Sequence, residues 1–375
     1  MSTAASPNAS APRRDVNNLP GLDYRQLAGT LARFDHPIID VHTHIIGHEA
    51  PRVYADAAQT FGIGLTYSQT PLPDIDPVLE QLGSRIRFIA CPTWSSPDRD
   101  HAFKQGYVDN LPIFREKYGA RVMKIWNAPR LRDFFPGSTG ADLVTIDAPW
   151  RIRQLEAATE LGMMVMVHVA DPDTWFSTKY SDATIYDAKR NHYIGLERML
   201  DRFTQPWIAA HMGGWPEDLA FLDGLLSRHP NLHLDCSATK WIVREISRHP
   251  REAFGSFMMK WKGRIIFGTD VVTADDHVRA EKKNPAHPKA DQANSPQAAF
   301  DLYASRYWAL RTMMESRAEG PSPIADTDLM MVDPASYNEW SSPTLRGFGL
   351  PRDVLEELYF KAAERLLEGW IKDHP

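Results

Sequence analysis

The run Ile38-Ile39-Asp40-Val41-His42-Thr43-His44 constrains this chain more than any other. Two isoleucines and a valine mark a buried β-strand, yet two imidazoles stand two residues apart at its far end. Side chains alternate along a strand with a period of two, so Asp40, His42 and His44 are expected on one face. Two neutral imidazoles fixed on one backbone make half of a divalent-metal site. The plainer alternative is a strand end carrying two unrelated histidines, and the rest of the chain argues against it.

From Ile38 onward, short apolar runs alternate with amphipathic helical stretches. Candidate strands fall at 38–44, 62–66, 86–91, 121–126, 163–169, 206–211, 231–236 and 264–269, eight in all, with 62–66 the weakest. Strand-then-helix repetition implies parallel strands joined by crossovers, and eight such units close most simply into a (β/α)8 TIM barrel. Helix ends are legible between them. Pro149 opens a helix over 148–161 that Gly162 stops, and Pro216-Glu217-Asp218 precede another that Pro230 ends. A last helix over Pro351–Gly369 has Leu355, Leu358, Ala362 and Leu366 at helical spacing, which places it against the outside of the barrel.

Long connections follow His44, Trp126 and Ala170, and the longest runs from Val271 to about Arg346. In a parallel barrel these loops emerge on the C-terminal face, where active sites are built. Residues 271–345 are therefore expected to form a lid insertion in a barrel domain spanning 36–375. Residues 1–35, rich at the start in Ser, Ala, Pro and Asn, read as a disordered or loosely packed tail.

Three further apolar runs end in ligand-type residues: Val165-Met166-Val167-His168, Ile208-Ala209-Ala210-His211 and Ile266-Phe267-Gly268-Thr269-Asp270. With His44, these groups mark the ends of the first, fifth, sixth and eighth candidate strands. Imidazole nitrogens and one carboxylate suit Zn²⁺ with an open position, Mn²⁺ or Fe²⁺ being the alternatives. A metal can pull the pKa of bound water towards ~7, and a histidine beside it can move the proton.

The ordered set resembles the amidohydrolase superfamily, in the amidohydrolase-related branch that includes aminocarboxymuconate-semialdehyde decarboxylase and γ-resorcylate decarboxylase. The likeness spans roughly 36–370. It consists of Asp-x-His-x-His at 40–44, His168, His211 followed by Met-Gly-Gly, Gly-Thr-Asp at 268–270, and the closing Leu-Pro-x-x-Val-Leu-Glu. It implies that His42, His44, His168 and Asp270 bind one metal, that His211 is the acid or base, and that Asp270 doubles as a proton acceptor. The closing helix departs from the branch: Lys361-Ala362-Ala363 stands where a Gly-Asn-Ala tripeptide is usual. Lys124, ending Val122-Met123-Lys124, has three readings: a bridge between two metals, a contact to substrate or to a ligand, or a rim salt bridge.

Two chemistries share this residue set. One is a metal-dependent hydrolase acting through a metal-activated water on a small amide, ester or lactone. The alternative is non-oxidative decarboxylation of an aromatic or muconate-type carboxylic acid. A barrel retained only for binding is the remaining alternative. The expected partner is a small-molecule substrate that can be a carboxylate, with Arg130, Lys179, Arg190, Arg244 and Arg306 as candidate cations. Asp235 is a candidate support for a metal-binding imidazole. Relatives in the branch imply a homo-oligomer. A net charge of -6 without a basic run argues against nucleic acid, and no apolar run reaches the ~18 residues of a membrane span. Two isolated cysteines, Cys91 and Cys236, suit a reducing cytoplasm.

Overall fold

The structure is a computed structural model that describes residues 15–282 and 289–374. Nine parallel strands form one sheet in the order β8-β7-β6-β5-β4-β3-β2-β1-β9. They are β1 (Ile38–His44), β2 (Ile63–Ser68), β3 (Ile86–Ala90), β4 (Val122–Trp126), β5 (Met164–His168), β6 (Trp207–Ala209), β7 (Leu232–Asp235), β8 (Ile265–Ile266) and β9 (Val271–Val272). Sequence neighbours are spatial neighbours from β1 to β8, as right-handed βαβ winding produces. The runs are near-continuously apolar because they are covered on both faces.

The sheet curls until its ends meet around one short segment. β8 pairs with β7 through Leu234 and Ile265, while β9 pairs with β1 through His44 and Val272. Between them, the Val41 amide donates to the Phe267 carbonyl (3.0 Å) and the Asp270 amide to the His42 carbonyl (2.8 Å). The result is a TIM-barrel-like α/β fold, with the expected weak strand at 62–66 realised as β2.

Helix boundaries follow the chemistry of their ends. The Pro149–Glu160 helix stops two residues before Gly162, which sits at φ +64°. Asp218 caps Leu219–Arg228 by accepting from the Phe221 amide at 2.8 Å, and Leu222, Leu225 and Leu226 face the core. The closing helical stretch begins at Arg352 and includes π-type turns at Glu357–Lys361 and Glu364–Glu368. Within the first of these, the Leu358 carbonyl accepts from the Phe267 amide (2.9 Å), where β8 has ended and β9 has not begun.

Two stretches differ from the sequence expectation. Residues 1–14 of the expected loose tail lie outside the described residues, but 15–35 are packed. Tyr24 is buried on a short helix (Tyr24–Ala28), Arg306 Nη1 donates to Asn17 Oδ1 (2.7 Å), and the Leu19 amide donates to the Pro323 carbonyl. The segment is held by backbone and amide hydrogen bonds to the 271–345 region and by Leu22, Tyr24, Leu31 and Phe34 packing on the core, in spacings that follow no single strand or helix period. That region contributes more than a cover. Its 20-residue helix, Pro296–Glu315, is buried along most of its length and packs on the Ala50–Thr60 helix. The Tyr54 and Tyr307 hydroxyls meet across that contact at 2.9 Å. Lys283-Asn284-Pro285, in the same region, falls outside the described residues.

Candidate metal centre and active-site cavity

The ends of β1, β6, β7 and the β8–β9 segment converge at the C-terminal mouth of the sheet. His42 and His44 are delivered by β1. His211 and Asp270 follow β6 and β8, and both sit in the left-handed region, at φ +60° and +61°. Ala238, after β7, does the same at φ +68°. Such conformations cost L-residues about 1–2 kcal/mol each and persist where surroundings over-determine them. Here they turn side chains inward from strands that have already ended. Glycines make the approach feasible. A Cβ on Gly214 would lie 2.3 Å from the Ala170 carbonyl oxygen, and one on Gly268 would press on His42 Cβ at 3.0 Å.

His42 Nε2, His44 Nε2 and an Asp270 oxygen converge within 4.8 Å of one another. Asp270 Oδ1 is 3.1 Å from His44 Nε2 and 3.5 Å from His42 Nε2. Behind them stands Asp235, fully buried at the end of β7. Its Oδ2 accepts from His42 Nδ1 at 2.8 Å, and its Oδ1 accepts from the His211 amide (2.8 Å), the Ser237 amide (3.0 Å) and the Ser237 hydroxyl. Ser237 Oγ, having donated to Asp235, accepts from His211 Nδ1 at 2.7 Å. An ionised carboxylate only accepts, so the proton positions follow: both His42 and His211 carry hydrogen on Nδ1 and present a lone pair on Nε2.

Electrostatics agree with neutral imidazoles and ionised carboxylates. Burial lowers the pKa of His42 and His211 and brings His44 down to about 4. Burial opposes ionisation of Asp270, but the His44 hydrogen bond and the surrounding imidazoles more than offset it, so its pKa falls well below the usual carboxylate range. Asp235 is depressed in the same way, burial being outweighed by His42, His211 and Ser237. Two imidazole nitrogens, one of them on the carboxylate-backed His42, and one carboxylate oxygen form a donor set that fits a divalent metal.

The sequence-predicted residues are placed as follows. His42, His44 and Asp270 come together. His168 is at the end of β5 with its ring 4.5 Å from that of His211, but it does not join the three-residue group. Its Nε2 is engaged at 3.0 Å by Asp171 Oδ1, three residues further on. Asp171 is buried and needs donors, taking the second from the Tyr180 hydroxyl at 2.9 Å. His211 lies against His42, ring centroids 4.9 Å apart. Asp40 departs from the shared face expected for 40, 42 and 44. The β1–β2 register shifts between Asp40 and Thr43, and the Asp40 carboxylate bonds Thr269 and the Tyr307 hydroxyl. Lys124 is not a rim salt bridge. It is buried, its Nζ is 3.4 Å from His42 Nε2, and burial lowers its pKa to about 8.

A cavity of about 340 Å³ opens in front of Asp270, His211 and His168. Trp126, Trp175, Tyr180, Trp241 and Tyr303 contribute aromatic walls, and Arg130, Lys240, Lys289 and Arg306 contribute cations. Of the cations anticipated from sequence, Arg130 and Arg306 line this space. Lys179 and Arg244 instead pair with Asp328 and Asp326, and Arg190 lies over the Phe221 ring. Lys240 and the Asp235–Ser237 hub were the residues the sequence pattern underweighted. Their signal was position: Asp235 to Trp241 leaves the C-terminal end of a strand directly onto the face where the cavity opens.

No protein-family model matches the chain, and no curated protein does. Among solved structures, the chain is similar to an amidohydrolase from Burkholderia multivorans with bound zinc (12% identity, TM-score 0.43, 88% of this chain and 98% of that one covered). It is also similar to 2,6-dihydroxybenzoate decarboxylase from Rhizobium (14%, TM-score 0.39, 73% and 99% covered). A third is 5-carboxyvanillate decarboxylase from Novosphingobium aromaticivorans, complexed with manganese (13%, TM-score 0.37, 73% and 96% covered).

Proposed function

We propose that this protein is a metal-dependent hydrolase of a small carbonyl-containing substrate. The observation that carries the proposal is the convergence of His42 Nε2, His44 Nε2 and Asp270 on one point, with His42 oriented from behind by Asp235. We take β8 and β9 as two halves of one interrupted strand, which makes the sheet an eight-stranded barrel with its catalytic face at this point. His42, His44 and Asp270 would hold one divalent ion, zinc by donor type, with His168 available once it releases Asp171.

When bound, the ion polarises a substrate oxygen and acidifies water at the site. The chain's own residues then have separate tasks. His211, with hydrogen held on Nδ1 by Ser237, offers Nε2 to take a proton at the mouth of the cavity. Asp270, ionised beside His44, would accept or pass on a proton at the carboxylate oxygen that the ion leaves free. Tyr180 and Asp171 keep the His168 side of the cavity ordered. No helix among the described residues is long and apolar enough to cross a membrane. We place the protein in the cytoplasm, where buried Cys91 and Cys236 stay reduced, and expect it to self-associate.

Decarboxylation of an aromatic acid is the second reading, favoured by the five aromatic side chains that line the cavity. The deciding experiment measures zinc, manganese and iron in purified protein. It then assays lactones, amides and esters for hydrolysis alongside aromatic acids for CO₂ release. One equivalent of metal with hydrolysis supports the proposal, CO₂ release alone transfers it to the second reading, and metal-free protein removes both.

A further inference from the structure

The cavity wall holds two cations that form no ion pair among the described residues. Lys240 stands in the first turn of the Thr239–Ile246 helix, and Arg306 on the Pro296–Glu315 helix. Both line the cavity that Asp270 and His211 also line. Among the described residues, no carboxylate lies within ion-pairing distance of either, and Lys240 has no hydrogen-bond partner. Arg306 is buried, and its Nη1 is positioned by neutral groups, Asn17 Oδ1 at 2.7 Å and Ser305 Oγ at 2.8 Å. The carboxylates on the same wall are already committed. Asp326 is paired with Arg244, and Asp328 accepts from Trp175 Nε1 at 2.7 Å and pairs with Lys179.

Desolvating two like charges near one another without counterions is expensive. Burial and the neighbouring Arg306 charge outweigh the more distant Asp326 and Asp328 and lower the Lys240 pKa to about 8, and burial brings Arg306 to about 10. An anion entering from solvent relieves both costs, and the helix N-terminus behind Lys240 adds donors of the same sign.

We propose that Lys240 and Arg306 form a binding subsite for a carboxylate of the substrate, separate from the reacting group held near His42, His44 and Asp270. This rests on the proposed function for the identity of the reacting end. It narrows the substrate to a small monoanion or dianion with a carboxylate remote from the bond that changes. Lys240 and Arg306 act here as specificity-determining residues.

The test uses full-length protein, metal-loaded and chelator-treated, with benzoate and its neutral analogue benzamide as calorimetric probes. Benzoate should bind the chelator-treated protein at least about tenfold more tightly than benzamide, the size of one charge-assisted hydrogen bond. Lys240→Met and Arg306→Met should each erase about tenfold of that preference, while Lys240→Arg and Arg306→Lys keep most of it. If Arg306→Met does not fold, Lys240→Met with its arginine rescue decides. Equal binding of the two probes, or full benzoate affinity in Lys240→Met, overturns the subsite. Metal content, measured on the same samples, fails or holds independently of that comparison.

Discussion

Asp235 Oδ2 lies 2.8 Å from His42 Nδ1, and both groups are fully buried. That contact sets the tautomer and ring angle of an imidazole whose other nitrogen faces Asp270. Asp235 also takes the His211 amide, the Ser237 amide and the Ser237 hydroxyl, so one carboxylate supports two strand ends. Asp235→Asn keeps the volume but must turn an NH₂ towards one of these donors. Loss of such a supporting acceptor typically weakens metal binding about 10–100-fold. Zinc titration against a competing chelator reads this directly, and unchanged affinity would separate Asp235 from the metal site.

His42 and His211 should fail in different ways. Removal of His42 deletes a converging Nε2, so His42→Ala is expected to lose stoichiometric metal. His211 lies outside the His42–His44–Asp270 group and is held on Ser237 instead. His211→Ala should therefore retain metal and lose about 10²–10⁴-fold in turnover, the usual scale for a lost acid or base. Full activity in His211→Ala would show that its role is misassigned.

The strand ends were legible because apolar runs closing on His or Asp are uncommon patterns with a strong physical meaning. Asp40 shows where alternation stops being a guide. A register shift between β1 and β2 sends it to Tyr307, and no sequence period announces a bulge. His168 shows a second kind of blindness, since its ring orientation depends on Asp171 and Tyr180, local partners that a strand-end pattern does not weigh. Residues 15–35 were read as loose because composition carries no record of which backbone groups a distant loop will satisfy.

Glu217 predicts a pH dependence away from the metal centre. Burial raises its pKa to about 7 despite the Lys189 charge nearby. The folded state thus binds more protons than the unfolded state between about pH 4.5 and 7. Stability from this group is complete below the unfolded value and is lost as pH rises through 7. Glu217→Gln retains an acceptor for the Asp173 amide without the buried charge. It should raise the melting temperature at pH 8 by a few degrees, corresponding to about 1–3 kcal/mol, and change little at pH 4.5. A larger gain at the acidic end would reverse the assigned sign.

Arg244 carries the last prediction, on how the cavity wall is held. Its guanidinium pairs with Glu245 at 2.6 Å, with Asp326, and with Asp328 at 3.5 Å. Glu245 and Asp326 are both buried, so these charges have been taken from water and are tolerated only while paired. Arg244→Met keeps the aliphatic stem but strands Asp326, while Glu245 keeps Arg248 and Asp328 keeps Lys179, at a cost of about 3–5 kcal/mol. Asp326 and Asp328 belong to the segment that walls the cavity, so the loss should appear first as local opening there. Hydrogen exchange at 326–332 should accelerate before global unfolding does. Adding Asp326→Asn should recover part of the stability, because it removes one stranded charge. If the double variant is no more stable than Arg244→Met alone, packing of the arginine stem, and not its charge, is what holds the wall.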